Sequence, residues 1–157
     1  MLRLAFLQIP DSPTSDGQEE MDTLHAALAA KGVQAEYVAM DVLENISRFD
    51  AATVLSLDGY HHDLPAFMDM LDTLEAHAIP VINAASLVQW NCTKAYLKEL
   101  ERKGCHTLPT LWLEQGESIA LLKEMNDRKW PEAVAKPLSS AGAHETRRIK
   151  QQSTQES

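Results

Sequence analysis

The chain has 157 residues, 45% apolar and 24% charged, with a net charge of −9, enough for one domain with a sizeable core or for one domain and part of another. Residues 1–75 hold 14 acids and 3 bases, whereas residues 76–157 hold 9 acids and 11 bases. The acidic first half argues against nucleic acid or an anionic membrane as partner, while the second half offers bases that could receive an anion.

The opening LRLAFLQI (Leu2–Ile9) is a nearly continuous apolar run, as expected for a strand covered on both faces. It is too short for a membrane span and lacks a secretory signal's cleavage site, so a cytoplasmic protein is expected. A polar turn, PDSPTSDG, follows. Met21, Leu24 and Leu28 then repeat at helical spacing up to Gly32. Val33–Met40 and AATVLSL (Ala51–Leu57) are further strand candidates. Asp63 is placed to cap a helix with Pro65 in its first turn, and Leu64, Phe67, Met68, Leu71 and Leu74 form its apolar stripe. Pro80-Val81-Ile82 is a short fourth strand. This alternation implies a parallel sheet with helices on both faces, hence an α/β fold.

The pattern changes after Asn83. Leu87–Trp90 reads as a short helical piece, and Asn91 as the cap of a helix running to about Lys103 and ending at Gly104. LPTLWLE (Leu108–Glu114) reads as a strand, Glu117–Arg128 as a helix, Pro131–Lys136 as a strand and His144–Ile149 as its returning partner. The expected organisation is an α/β domain over 1–86, a partial α+β subdomain over 87–150, and a disordered tail over 151–157. A sheet of so few strands leaves an edge poorly covered, so it is expected to meet a second copy of the chain or a missing C-terminal half.

The chemistry concentrates near the end. AVAKPLSSAGAHETRR (Ala133–Arg148) delivers Lys136 from an apolar strand into a loop of small residues, Leu138–Ala143. A lysine there is costly to bury unless an anion meets it, and successive loop N–H groups form an anion-binding nest. The competing reading is a plain hairpin with Lys136 in solvent. The lysine precedes the loop and no helix follows, so this is not a Walker A motif. Lys94 falls in the first turn of the expected helix, where the dipole disfavours a cation unless an anion is shared. Asp58 and Tyr60 follow the third strand at the sheet's C-terminal edge, where open α/β sheets place ligands, and are candidate substrate contacts. The neighbouring His61, His62 and Asp63 are read as capping or surface residues and not as a metal site. Cys92 and Cys105 lack metal-ligand spacing and are read as reduced thiols. Trp90 and Trp112 are read as core anchors.

Two blocks, Trp90-Asn91 with Lys94, Tyr96 and Leu97, and Lys136-Pro137 with Ser139, Ala141-Gly142-Ala143, Thr146 and Arg148, resemble the ATP-grasp superfamily. The likeness is to the branch of glutathione synthetase, the ribosomal-protein modification ligases and the cyclo-ligase of cycloserine biosynthesis, and it runs through essentially the whole chain. It implies a pre-ATP-grasp α/β domain followed by an incomplete ATP-grasp subdomain. It also implies ATP and magnesium as cofactors, and phosphorylation of a small-molecule carboxylate followed by attack of an amine or other nucleophile. By position, Lys94 would approach the α-phosphate and Lys136 would bridge the α- and β-phosphates. Ser139, Ser140, Ala141 and Gly142 would form the loop over the β- and γ-phosphates. The family's adenine hinge, catalytic arginine and magnesium carboxylates lie further along than this sequence reaches, and Glu156 is the only acid after Glu145. No catalytic residue or metal ligand is therefore assigned, and the chain alone is expected to be inactive and to bind ATP weakly or not at all. The alternatives are a non-catalytic α/β module that binds a small molecule or a protein, and a flavodoxin-like binding domain.

Overall fold

The computed structural model describes residues 1–9, 18–54 and 59–151, and the chain separates into two units, Met1–Lys94 and Ala95–Ser157. The first unit runs β1 (Leu2–Gln8), α1 (Gln18–Ala30), β2 (Val33–Ala39), β3 (Ala51–Thr53), α2 (Leu64–Ala76), β4 (Val81–Ile82) and α3 (Ala85–Asn91). Its strands form one sheet in the order β2-β1-β3-β4, and each neighbouring pair is parallel. The central β1 pairs with β2 from Leu2↔Val33 to Gln8↔Ala39 and with β3 from Leu4↔Ala51 to Phe6↔Thr53.

That central place explains the apolar run. Leu4 to Leu7 are all buried, and alternate residues face opposite sides of the sheet. Ala5 and Leu7 join a core with Phe67, Met70, Leu71 and Leu74 of α2, together with Ile46, Phe49 and Ala52. Phe6, on the other side, meets His25 of α1 edge-on at 4.8 Å between ring centroids. Asp63 caps α2 as expected, its Oδ1 accepting the Ala66 N–H at 3.0 Å, with Pro65 in the first turn. Gly32, at φ +78°, ends α1 in the left-handed conformation that suits glycine. The strand expected over Ala51–Leu57 is laddered over Ala51–Thr53, and residues 55–58 lie outside the described residues.

The second unit contains α4 (Tyr96–Arg102), α5 (Leu121–Asp127), β5 (Glu132–Ala135) and β6 (Arg147–Lys150), the two strands pairing antiparallel. Here several expectations need correction. The short helical piece expected over Leu87–Trp90 is present as α3, but the helix expected from Asn91 to Lys103 is shorter. Asn91 is the last residue of α3, not a cap, and the Cys92 N–H still donates to the Val88 carbonyl. The next helix starts only at Tyr96. LPTLWLE forms no strand among the described residues, and the backbone of Leu111 to Leu113 makes no hydrogen bond there. An alternating apolar pattern becomes a strand only when a neighbour supplies the ladder. The helix expected from Glu117 begins later, at Leu121. Glu117 instead closes a turn: its N–H donates to the Glu114 carbonyl and its carboxylate accepts the Glu114 N–H. The return strand also starts later than expected, because Ala143 and Glu145 keep positive φ angles and hold the chain in turns. Trp90 is 38% exposed and not a core anchor, and Trp112 is half-buried beneath the Lys98 ammonium. Among the described residues no helix is long and apolar enough to cross a membrane.

Candidate functional site

β5 is short because proline bounds it on both sides. Pro131 precedes it and Lys136-Pro137 follow it. The strand ends as Lys136, itself exposed, enters the loop to β6. Gly142 and Ala143 both lie in the left-handed region, at φ +57° and +58°. A Cβ added at Gly142 would meet nothing within 4 Å, so glycine serves the backbone conformation there and not a close approach. Two turns follow in succession, with the His144 N–H donating to the Ala141 carbonyl at 2.9 Å and the Thr146 N–H to the Ala143 carbonyl at 3.0 Å.

What this leaves unsatisfied matters for binding. The N–H groups of Ser139, Ala141 and Gly142 donate to no backbone acceptor among the described residues. The Ser139 hydroxyl oxygen is buried and has no hydrogen-bond partner there. A buried hydroxyl without a partner costs about 1–3 kcal/mol, so it marks a place for an acceptor. Donors, a hydroxyl and an exposed ammonium within one loop suit a phosphate chain. The fit to magnesium is different. The loop itself carries one carboxylate, Glu145, and the nearby Glu132 Oε2 accepts a two-pronged contact from Arg148 at 2.6 and 3.1 Å. Magnesium needs oxygen ligands, usually carboxylates together with substrate phosphates. The described residues of this unit present no such set, and no step is assigned to that ion.

The remaining expected residues lie in the first unit. Lys94 is its last residue, half-buried in the turn that follows α3. It does not sit in a helical first turn, so the dipole argument for it lapses. Tyr60 occupies the single 3-10 turn Tyr60–His62, its ring 5.0 Å from Phe67, and its hydroxyl donates to the Cys92 carbonyl at 2.8 Å. Burial, then the nearby Cys92, pushes its pKa up, so its proton stays in that bond and only acceptor capacity remains for a ligand. Asp58 lies outside the described residues. Ser139, by contrast, was visible in sequence as a loop residue, but only packing shows that its hydroxyl is buried and unmatched.

Cys92 and Cys105 are free thiols, the first buried and the second exposed. The Cys92 Sγ donates to the Gln89 carbonyl at 3.1 Å, which ties it into α3 as a packed residue. At the opposite end of β1, Arg3 and Arg48 both hold the Glu36 carboxylate, at 3.2 and 2.8 Å, and lie over the Phe49 ring. That cluster ties β1, β2 and the turn before β3 together, with two guanidinium groups sharing one carboxylate.

Comparison with known proteins bears on the family and the fold. The profile of the family described as the D-cycloserine synthetase DcsG N-terminal domain matches residues 4–83. No curated protein sequence matches the chain. Among solved structures the chain is similar to D-cycloserine synthetase DcsG, with TM-score 0.78 and 24% identity, over 94% of this chain and 50% of that one. It is also similar to D-alanine–D-alanine ligase from Bacillus anthracis, with TM-score 0.67 and 18% identity, over 96% of this chain and 50% of that one. The same ligase complexed with ATP gives TM-score 0.65 and 18% identity, over 97% of this chain and 51% of that one. The chain thus spans about half the length of the structures it matches.

Proposed function

The chain belongs to the family of the D-cycloserine synthetase DcsG N-terminal domain, and from that premise we propose that it is the N-terminal portion of an ATP-dependent carboxylate–amine ligase or cyclo-ligase. In such a reaction a carboxylate oxygen of a small-molecule substrate attacks the γ-phosphorus of ATP and ADP leaves. The nucleophile then attacks the acyl carbon and phosphate leaves. ATP brings the phosphoryl group; the loop after Lys136 holds and neutralises the phosphate chain, work that depends on position and charge. In this reading Lys136 bridges the α- and β-phosphates, Ser139, Ser140, Ala141 and Gly142 wrap the β- and γ-phosphates, and Lys94 supplies a second cation. Asp58 and Tyr60 are the proposed contacts of the small-molecule substrate. The protein is assigned to the cytoplasm, where ATP and reduced thiols are found together.

The observation that carries this reading is the buried, unpartnered Ser139 hydroxyl beside three uncommitted loop N–H groups and Lys136. Calorimetric titration with ATP tests it. The chain is expected to bind weakly, and Lys136→Ala to weaken binding about tenfold or more, since a charged contact is worth about 1.5–3 kcal/mol. No heat from the unsubstituted chain, or equal affinity in the variant, would overturn it. The described residues of the second unit present no magnesium ligand set, so the chain alone is expected to release no ADP from ATP, and steady ADP release would refute that part. A non-catalytic interaction module is the second reading, favoured by the apolar side chains that the second unit leaves in solvent, Leu108 at 86% and Leu122 at 59%.

A further inference from the structure

Cys92 closes α3, and three of its groups are engaged. Its N–H donates to the Val88 carbonyl at 2.9 Å and its Sγ to the Gln89 carbonyl at 3.1 Å, both in the helix it ends. A carbonyl at a helix end has no intrahelical N–H to meet it. For Cys92 the donor comes from 32 residues away: it is the Tyr60 hydroxyl, at 2.8 Å.

Tyr60 is itself held. Its ring lies 5.0 Å from that of Phe67, a buried residue of α2. The turn it occupies is closed by the His62 N–H, which donates to the Gly59 carbonyl at 2.9 Å, and Asp63 then caps α2. The hydroxyl therefore projects from a fixed base. Its bond orients the peptide group between Cys92 and Thr93, because that carbonyl and the Thr93 N–H share one plane. Lys94 follows one residue later, still within the first unit.

We propose that Tyr60 is a positioning residue for Lys94: its hydroxyl, through the Cys92 carbonyl, fixes the turn from which Lys94 meets the nucleotide. This rests on the ligase reading, in which Lys94 supplies a cation to the phosphate chain, and adds what holds that cation in place. A long side chain must give up its rotamer freedom to hold an ion, so freedom left in its main chain is a further loss on binding. The Tyr60 oxygen still accepts, so a substrate donor there and the bond to Cys92 are compatible. One hydroxyl then ties the turn after β3, where the substrate is placed, to the turn after α3, which carries Lys94.

Nitrogen–proton NMR of the full chain, first alone and then titrated with ATP, tests it, with circular dichroism to confirm that each variant folds. Tyr60→Phe keeps the ring against Phe67 and removes only the hydroxyl. Without ATP it is expected to move the Thr93 and Lys94 amide signals while those of Leu24 and Leu28 in α1 stay in place. In the titration it is expected to raise the Kd about threefold, since one neutral hydrogen bond is lost. No substrate is present, so the proposed substrate contact does not enter. In a Lys94→Ala background the same substitution is expected to leave the Kd unchanged, because the side chain it positions is gone. In a Lys136→Ala background the factor should persist. A merely structural role would give the same factor in every background. An unchanged Kd, an undiminished factor in the Lys94→Ala background, or unmoved Thr93 and Lys94 signals would overturn the positioning role while ATP binding stands. A chain that binds no ATP would overturn the ligase reading itself, and this role with it.

Discussion

In the first unit the central strand β1 has a parallel neighbour on each side and a helix against each face; in the second, β5 has one neighbour among the described residues. The contrast lies in what surrounds each strand and not in strand content. AVA in β5 is as apolar as much of β1, yet Val134 stands in solvent while Leu7 is buried. A strand's burial is conferred by its neighbours. The contrast does not extend to every polar group: the first unit also buries nitrogens without a hydrogen-bond partner among the described residues, Arg3 Nε and His25 Nε2, but the second unit gathers an unmatched hydroxyl and N–H groups without a backbone acceptor in one loop.

The largest expected effect breaks the finished side. Leu71→Ala, at a fully buried position of α2, is expected to destabilise the first unit by about 2–5 kcal/mol in urea unfolding. Asp63→Ala removes the α2 cap and is expected to cost about 1 kcal/mol in the same assay. Leu122→Ala, at an exposed position of the second unit, is expected to change stability by no more than about 0.5 kcal/mol. A loss at Leu122 comparable with that at Leu71 would erase the distinction between the units.

A pH dependence sharpens it further. Burial raises the Cys92 thiol above its usual 9.0 and the Tyr60 phenol above its usual 10.0. The folded chain thus holds both protons more tightly than the unfolded chain does. Their contribution is whole below pH 9.0 and is lost as pH rises through the raised values. Unfolding midpoints are expected to be level with respect to these two groups up to that pH and to decline above it. Tyr60→Phe should shallow the decline and lower stability by about 1 kcal/mol at neutral pH, because the Cys92 carbonyl loses its donor.

Much of the first unit was legible because its signals are local. The nearly continuous apolar run of β1, the Asp63 cap with Pro65, and the stop at Gly32 each act within a few residues, and each sits where expected. The second unit was less legible because its outcomes depend on partners. Leu108–Glu114 has a strand's alternation and no ladder, and Asn91 has a cap's chemistry but lies inside α3. At the candidate site, residue type and spacing pointed to Lys136 and the small-residue loop. The motif that carries the resemblance includes Ser139 and not Ser140, but the burial of its hydroxyl away from any partner is a property of packing.

The most direct measurement is a nitrogen–proton NMR titration of the whole chain with ATP, reading both units at once. The amide signals of Ser139, Ala141 and Gly142 should move progressively to saturation while those of Leu4 to Leu7 stay in place. A loop that stays still at an ATP excess, or shifts in β1 without shifts in the loop, would contradict the assignment of phosphate binding to the second unit.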